Sequence, residues 1–326
     1  MERKVSWGVL GTANIGVRET FAAMHQANNC HMAAIAGRSA EKARAFQERF
    51  GFERACASYD ELLEDPQVEA VYIALPNSLH KQWVLRAADA GKHVLCEKPL
   101  GTTEQEAREM FARCQERGVR LMEAFAYLHS PVIAEAVRCV EAGEIGALRM
   151  VQAAFFTRGY YDKPENIRAR RETFGGSVYD LGVYNISLAH RFFGRAPEAA
   201  QAVAHFTPLG VDDFCAELLD FGEGRLGVLE NGMCTHCARL SYFRIFGTEG
   251  MIDAPVGFNQ QGAQTFSVQR PGRPDEAVTV DCPNNYRLEI EQFGRVVRGL
   301  EEPLVGEAFS LGVARTVDQV LRQIGY

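Results

Sequence analysis

The sequence contains the stretch His93-Val94-Leu95-Cys96-Glu97-Lys98-Pro99-Leu100. Its apolar first half is typical of a buried parallel strand, and the polar residues that follow end that strand. Ligands bind at the carboxyl ends of strands in open α/β sheets, so Lys98 lies where a site would be. Pro99 favours an extended backbone at Lys98, which gives the lysine side chain a defined direction. Lys98 is therefore the first candidate for catalysis.

Strand and helix patterns alternate around this stretch as far as residue 123. Strands are predicted at residues 5–10, 32–36, 68–75, 94–96 and 119–122. Helices are predicted from about residue 17 and at residues 40–50, 59–63, 80–90 and 103–117. This alternation predicts a doubly wound parallel α/β sheet over residues 1–123.

The pattern changes beyond residue 123. Longer strands are predicted at residues 151–156, 199–206, 216–221, 225–231 and 240–246. Helices are predicted at residues 131–141, 177–193, 286–299 and 307–324. We therefore expect residues 124–326 to form an α+β domain built on a large, mostly antiparallel sheet.

The composition fits a globular protein of two domains. The chain has 326 residues, of which 47% are hydrophobic and 24% charged. A net charge of -7 without a basic run gives no indication of nucleic acid or an anionic membrane as partner. No signal-peptide segment or membrane-spanning apolar run is present, and the nine scattered cysteines fit reduced thiols. We therefore expect a cytoplasmic enzyme.

A glycine fingerprint, Gly11-Thr12-Ala13-Asn14-Ile15-Gly16, follows the first predicted strand directly. Gly11 allows a tight turn, the small Ala13 lets the backbone approach a pyrophosphate, and Gly16 lets a helix pack closely on the strand. The amino terminus of that helix offers free N–H groups to phosphate. The stretch indicates dinucleotide binding, and the alternative is an ordinary tight turn.

The end of the second strand indicates which dinucleotide binds. NAD-binding domains usually have an acidic residue here for the ribose 2′-hydroxyl, whereas this chain has Gly37-Arg38-Ser39. The Arg38 guanidinium and the Ser39 hydroxyl can both bond a 2′-phosphate, and Lys42 lies one helical turn further. We expect NADP(H) in preference to NAD(H), and the alternative is an exposed arginine that caps a helix.

The end of the third strand would line the cleft near the nicotinamide. The expected cofactor-binding residues here and at the end of the next strand are Leu75, Pro76, Asn77, His80, Glu97 and Lys98. His80 begins or precedes a helix, so capping or packing explains it equally well.

A second catalytic candidate lies in the stretch from Gly175 to Tyr184. Asp180 and Tyr184 are four residues apart and share one helical face. A phenol beside a lysine ammonium can have its pKa lowered enough to exchange a proton with an alcohol or a carbonyl. The alternative is a buried tyrosine whose hydroxyl bonds Asp180. Arg168, in a basic loop just before, faces phosphate or substrate or belongs to a solvated turn.

The segment Cys234-Thr235-His236-Cys237 contains possible metal ligands. A structural zinc ion needs four ligands, and no second pair follows at a suitable spacing. Cysteines of a core strand are the better interpretation, so we expect no metal site.

Three motifs occur in a familiar order: Gly8-x-x-Gly11-Thr12-Ala13-x-Ile15, Glu97-Lys98-Pro99 and Asp180-Leu-Gly-Val-Tyr184. With residues 245–250, they resemble the glucose-fructose oxidoreductase, inositol dehydrogenase and rhizopine catabolism (Gfo/Idh/MocA) family. Many inositol-dehydrogenase-like members have a histidine where this chain has Tyr184. The tyrosine, Trp7-Gly8 and Met122-Glu123-Ala124 are similar to the branch of D-xylose dehydrogenases and dimeric dihydrodiol dehydrogenases. Residues 126–131 differ from the arginine-containing version common in sugar dehydrogenases of that branch.

The resemblance implies a Rossmann domain, an open-faced sheet domain, and an active site between them. It implies that Lys98 lies beside the nicotinamide and the substrate hydroxyl, commonly with a cis peptide before Pro99. It also implies that Tyr184 is the general acid/base, that Lys98 lowers its pKa, and that Asp180 supports the pair. Arg38 matches the NADP-selecting position of the branch.

We therefore expect an NADP(H)-dependent oxidoreductase that transfers hydride between nicotinamide and a carbinol or carbonyl of a sugar, polyol or related small molecule. One alternative is a reductase of a ketosugar or dicarbonyl. Another is a nucleotide-sensing regulator of the same fold, against which the presence of Lys98 and Tyr184 together counts. The exposed face of a large sheet must be covered, and the resemblance suggests a homodimer or homotetramer through the second-domain sheet.

Overall fold

The structure, a computed structural model, describes residues 3–160, 163–235 and 239–326. The chain divides into two compact units. Unit 1 comprises Met1–Ala126 and Asn284–Ser310, and unit 2 comprises Tyr127–Pro283 and Leu311–Tyr326. The first break lies close to the predicted boundary after residue 123. Residues 284–310, which the sequence pattern assigns to the second domain, belong to unit 1.

The α-helices are, in chain order, Phe21–Gln26 (α1), Ala40–Phe50 (α2), Tyr59–Glu64 (α3), His80–Asp89 (α4), Glu104–Glu116 (α5), Pro131–Glu141 (α6), Val183–Phe193 (α7), Asn285–Val297 (α8) and Glu307–Ile324 (α9). Local sequence sets several helix ends. Ser39 begins α2 by accepting a hydrogen bond from Lys42 N at 3.2 Å, and Gly51 ends it with a φ of 71°. No helix within the described ranges is long and apolar enough to cross a bilayer.

Unit 1 contains a six-stranded parallel sheet. Its strands are Val5–Leu10 (β1), Cys30–Ala36 (β2), Arg54–Cys56 (β3), Ala70–Ile73 (β4), His93–Glu97 (β5) and Leu121–Ala124 (β6). They lie in the order β3-β2-β1-β4-β5-β6, which confirms the predicted doubly wound sheet. The short β3 was not predicted, because three residues carry too little apolar pattern. The connections reverse direction between β1 and β4, where sheets of this class bind ligands.

Helix α8 packs within unit 1 although it follows unit 2 in the sequence. The Phe293 ring lies 5.6 Å from that of Trp7, measured between centroids. Asn29 Nδ2 donates to Glu291 O at 2.8 Å. These contacts bury one face of α8 against the sheet unit, which explains why residues 284–310 belong there.

Unit 2 contains an eight-stranded sheet. Its strands are Leu148–Arg158 (β7), Ala199–Phe206 (β8), Asp212–Asp220 (β9), Leu226–Thr235 (β10), Leu240–Gly247 (β11), Met251–Ala254 (β12), Gly262–Gln269 (β13) and Glu276–Cys282 (β14). They lie in the order β14-β13-β12-β11-β7-β10-β9-β8. Among the described strands of this eight-stranded sheet, only the pairing of β7 with β10 is parallel. This confirms the predicted α+β fold with a mostly antiparallel sheet.

The two faces of the unit 2 sheet differ in burial. Leu219 and Leu229 point to one face and are fully buried, and α7 packs on β7 and β10. On the other face, Val203 is 78% exposed, Leu218 43% and Phe214 41%. Side chains of a strand alternate between the faces, so the second face of β8 and β9 is an open apolar surface.

Candidate active site

The glycine turn lies where the connections of the unit 1 sheet reverse. Gly11 follows β1 with a φ of 114°, a conformation that side chains other than glycine rarely adopt. A Cβ atom on Gly11 would lie 2.4 Å from Ala74 O, and Gly11 N donates to Ala36 O at 2.9 Å. The helical segment that follows opens with a π-helical turn, Gly16–Thr20, before α1. The turn where the sequence predicts a pyrophosphate therefore requires glycine at position 11.

Three side chains able to bond an anion lie just beyond β2. Arg38, Ser39 and Lys42 are all exposed. The helix-capping role considered for Arg38 falls to Ser39, whose hydroxyl oxygen accepts from Lys42 N. A serine hydroxyl that accepts one bond still has its proton to donate. A Cβ on Gly37 would lie 3.0 Å from Thr12 Cγ2, so this group lies next to the glycine turn.

The Glu-Lys-Pro segment lies at the carboxyl end of β5 as predicted, with Glu97 as the last residue of the strand. The Lys98–Pro99 peptide is cis, as the resemblance implies. Lys98 is half-buried. The Tyr72 hydroxyl donates to Glu97 Oε1 at 2.5 Å and accepts from Thr20 Oγ1 at 3.2 Å. This chain of hydrogen bonds joins the π-helical turn after the glycine fingerprint to the residue before Lys98. Sequence patterns did not identify Tyr72, because its role depends on β4 lying beside β5.

Glu123 is a second acidic residue beside this segment. It is 2% exposed, and its Oε1 accepts from Leu100 N at 2.8 Å. Burial raises the pKa of Glu123 to about 7, although the positive charge of Lys98 opposes the change. Glu123 thus anchors the backbone two residues after Lys98.

His80 lies between two loops of unit 1. It is fully buried, with Nδ1 2.8 Å from Pro99 O and Nε2 2.9 Å from Leu75 O. Burial lowers the pKa of its imidazole. This geometry supports the packing role for His80, because it ties the loop after β4 to the segment after β5. The other expected residues of the first loop, Leu75, Pro76 and Asn77, are half-buried.

In unit 2, the glycine pair packs against the loop that carries Arg168. A Cβ on Gly175 would lie 2.4 Å from Arg168 O. The Arg168 Nε donates to Asp180 Oδ2 at 2.8 Å, and the negative charge of Asp180 raises the pKa of the guanidinium. Sequence patterns predict separate roles for Arg168 and Asp180, whereas the structure pairs the two residues. Cofactor binding by Arg168 stays a prediction.

Tyr184 lies in the first turn of α7, after a π-helical turn at Val178–Gly182. The predicted helix over residues 177–193 is thus wound differently at its start, a feature common at functional sites. The Tyr184 ring is surrounded by those of Tyr127, Phe155 and Phe258, with centroids 5.5, 5.4 and 5.3 Å away.

The backbone of Tyr184 is also held in place. Its carbonyl oxygen accepts from the Tyr127 hydroxyl at 3.2 Å and from Ser187 Oγ at 2.9 Å. Tyr127 is fully buried and belongs to the segment that departs from the arginine-containing version of the branch. The structure assigns it to fixing Tyr184, which no sequence pattern indicated.

A cavity in unit 2 adjoins the pair formed by Arg168 and Asp180. Its lining residues are Tyr160, Arg168, Ala169, Thr207, Leu209, Val211, Asp212, Asp213 and Met233. The Arg168 guanidinium lies 5.6 Å from the centre of the Tyr160 ring. The cavity therefore lies next to Arg168, the partner of Asp180.

The possible metal ligands of the segment Cys234-Thr235-His236-Cys237 are not tested by the structure. His236 and Cys237 lie outside the described residues, and so does the side chain of Cys234. Among the residues that are described, no group of three or more His, Cys, Asp or Glu side chains could hold a metal ion.

Comparison with known proteins gives matches over nearly the whole chain. The GFO_IDH_MocA model, an oxidoreductase family with an NAD-binding Rossmann fold, matches residues 5–125. The GFO/IDH/MocA C-terminal domain model matches residues 133–253.

Named relatives include enzymes of two kinds. The chain is 37% identical over 316 residues to D-xylose 1-dehydrogenase (NADP(+)) 2 of Haloferax volcanii, covering 96% of this chain and 95% of that protein. It is 41% identical over 317 residues to dTDP-3,4-didehydro-2,6-dideoxy-alpha-D-glucose 3-reductase of Actinomadura kijaniata, covering 96% and 93%. A crystal structure of a 3-ketoreductase from Actinomadura kijaniata, in complex with NADP and TDP-benzene, superposes with a TM-score of 0.91 at 31% identity, covering 99% and 98%.

Proposed function

Because this chain belongs to the Gfo/Idh/MocA family of oxidoreductases, we propose that it transfers hydride between NADP(H) and a carbinol or carbonyl of a sugar, polyol or related small molecule. The family membership makes it a dehydrogenase or reductase. The cofactor, the substrate class and the roles of individual residues are the parts that we propose.

The observation that carries the proposal is the pairing of a bare glycine turn with an exposed cationic group beyond β2. Gly11 leaves no room for a Cβ against Ala74 O, so the tight turn next to the expected pyrophosphate requires glycine. Arg38, Ser39 and Lys42 supply a guanidinium, a hydroxyl and an ammonium, the donors that suit a 2′-phosphate. These residues fit NADP(H), which when bound supplies or accepts the hydride.

Tyr184 and Lys98 have the chemistry that the reaction needs from the protein. We assign Tyr184 to proton exchange with the substrate oxygen, and Lys98 to stabilising negative charge on that oxygen. Three aromatic rings pack against the Tyr184 side chain, and two hydrogen bonds to its carbonyl oxygen hold its backbone. Asp180, fixed by Arg168, is suited to orient a substrate hydroxyl.

The direction of the reaction and the substrate are open within this class. The xylose dehydrogenase relative supports oxidation of a sugar hydroxyl, and the dTDP-sugar reductase relative supports reduction of a ketosugar. The same side chains serve both directions, because proton donation to a carbonyl oxygen during reduction is the reverse of proton removal from a hydroxyl during oxidation.

The experiment measures cofactor binding and turnover together. NADPH and NADH are titrated into wild type and Arg38→Ala, and nicotinamide absorbance is then followed with aldoses, inositols, ketosugars and dihydrodiols. Loss of charge-assisted bonds should weaken NADPH binding to Arg38→Ala by about 10- to 100-fold and leave NADH nearly unchanged. Arg44→Ala, an exposed arginine on α2, is the matched control. Equal affinity of wild type for both dinucleotides would reject NADP(H) preference, and no binding of either would reject the proposal.

A further inference from the structure

A buried polar cluster in unit 2 lies directly under the π-helical turn that carries Asp180. Its members are Ser177, Asp212, Glu217 and Asn231, which are between 0% and 2% exposed. Polar groups are costly to bury unless they are hydrogen-bonded, so their pairing is informative. Two carboxyl groups within one buried cluster also limit how many charges it can hold.

The cluster touches both ends of the turn. At the start, Val178 N and Ser177 Oγ donate to Asp212 Oδ2 at 2.8 and 2.6 Å. At the end, a Cβ on Gly182 would lie 2.8 Å from Asn231 Oδ1 and 3.3 Å from Glu217 Oε1. The turn is therefore in contact with this cluster at both of its ends.

We propose that Glu217, Asn231, Ser177 and Asp212 form a relay that positions this turn, and that the proton on Glu217 sets the direction of its hydrogen bonds. The relay is a positioning device for Asp180 and Tyr184, and its effect on catalysis rests on the function proposed above. None of its four members needs to touch substrate or cofactor.

The amide of Asn231 has two possible orientations. One amide atom lies 2.8 Å from Ser177 Oγ, and the other lies 2.6 Å from Glu217 Oε1. The orientation of an amide follows from the donors and acceptors around it. A protonated Glu217 donates to Asn231 Oδ1, Asn231 Nδ2 donates to Ser177, and the Ser177 hydroxyl donates to Asp212. Every bond of this arrangement has one donor and one acceptor.

Loss of the Glu217 proton reverses the amide. Asn231 Nδ2 then donates to Glu217 Oε1, and Asn231 Oδ1 accepts the proton of Ser177. A serine hydroxyl has a single proton, so Asp212 loses its bond from Ser177. Asp212 then keeps only its backbone donors, among them Val178 N at the start of the turn.

The surroundings of Glu217 favour its protonated form at neutral pH. Burial raises the pKa of Glu217 to about 8, and the negative charges of Asp212 and Glu230 act in the same direction. Burial also raises the pKa of Asp212 to about 6. The titratable groups that face the relay from its own and neighbouring elements are Cys215 on β9, Glu230 on β10, Arg168 across the cavity and Tyr326 beyond α9.

The test compares wild type with Glu217→Gln, whose neutral amide can donate to Asn231 at every pH. In wild type, kcat at saturating NADP(H) and substrate should fall by about tenfold on the alkaline side, through an apparent pKa near 8. Glu217→Gln should have a kcat within about threefold of the wild-type value at pH 7, and its kcat should not show the fall near pH 8. Thr316→Val is the matched control, because Thr316 is equally buried in unit 2 and bonds His190 Nε2 at 3.0 Å. It should lower thermal stability and leave the wild-type pH profile unchanged.

A second measurement does not depend on activity. Hydrogen exchange over residues 178–184, corrected for the intrinsic rate, should become about tenfold faster in wild type between pH 7 and pH 9, and stay constant in Glu217→Gln. If turnover is absent but this difference is present, the proposed function fails and the relay stands. The relay would be overturned if kcat falls near pH 8 by the same factor in wild type and Glu217→Gln. It would also be overturned if the hydrogen exchange of residues 178–184 has the same pH dependence in both proteins.

Discussion

Replacement of Glu123 by glutamine tests whether this buried carboxyl group costs unit 1 stability at neutral pH. Burial raises its pKa from the ordinary 4.5 to about 7. The folded state therefore binds the Glu123 proton more tightly than the unfolded chain does, which adds to the free energy of unfolding. This contribution is fully present below pH 4.5 and is lost as the pH rises through 7. At about 1.4 kcal/mol per pH unit, the interval between the two values corresponds to roughly 3 kcal/mol, which wild type has lost above pH 7.

Glutamine keeps the acceptor for Leu100 N but never ionises. Its buried amide group costs about 1 kcal/mol at every pH. The free energy of unfolding of Glu123→Gln minus that of wild type should therefore increase by about 2 to 3 kcal/mol between pH 5 and pH 8. Both tryptophans of the chain, Trp7 and Trp83, belong to unit 1, so their fluorescence during urea unfolding reports this unit alone.

The control for this experiment is Glu48→Gln, on the exposed surface of α2. Its free energy of unfolding should differ from that of wild type by no more than about 0.5 kcal/mol from pH 5 to pH 8. If the difference in free energy of unfolding between Glu123→Gln and wild type stays constant from pH 5 to pH 8, the reasoning is refuted. It is also refuted if wild type becomes more stable relative to Glu123→Gln as the pH rises.

Three other predictions address the site, a helix end and the open sheet face. Tyr184→Phe should lower kcat by about 10²- to 10⁴-fold and spare NADPH binding, measured by steady-state kinetics and titration, with Tyr242→Phe on β11 as control. Thr103→Ala removes the oxygen that accepts from Glu106 N at 3.2 Å, and should lower the free energy of unfolding by about 1 kcal/mol in urea. Phe214→Asp should dissociate the oligomer that we propose forms through β8 and β9, and light scattering that finds wild type monomeric would reject that oligomer.

The local structure and the class of fold follow from the amino-acid sequence alone. Three helices, α2, α6 and α9, have the predicted bounds, because apolar periodicity and capping residues act over a few neighbouring positions. The glycine turn was also accessible from the chain, since a motif and its context specify it. The cis Lys98–Pro99 peptide was expected from the family resemblance alone. The three strands at one side of the unit 2 sheet, β12, β13 and β14, were not predicted, because their half-exposed residues lack a strong apolar pattern.

The contacts between distant residues became visible only in the folded chain. It placed α8 in unit 1, paired Arg168 with Asp180, and packed Tyr127 against Tyr184. It also brought Glu217 and Asn231 from neighbouring strands beneath a turn that begins at residue 178. Such contacts join positions far apart in the chain, and the pKa of a buried carboxyl group depends on that packing. Periodicity and motifs describe neighbours along the chain, so they carry no information about this burial.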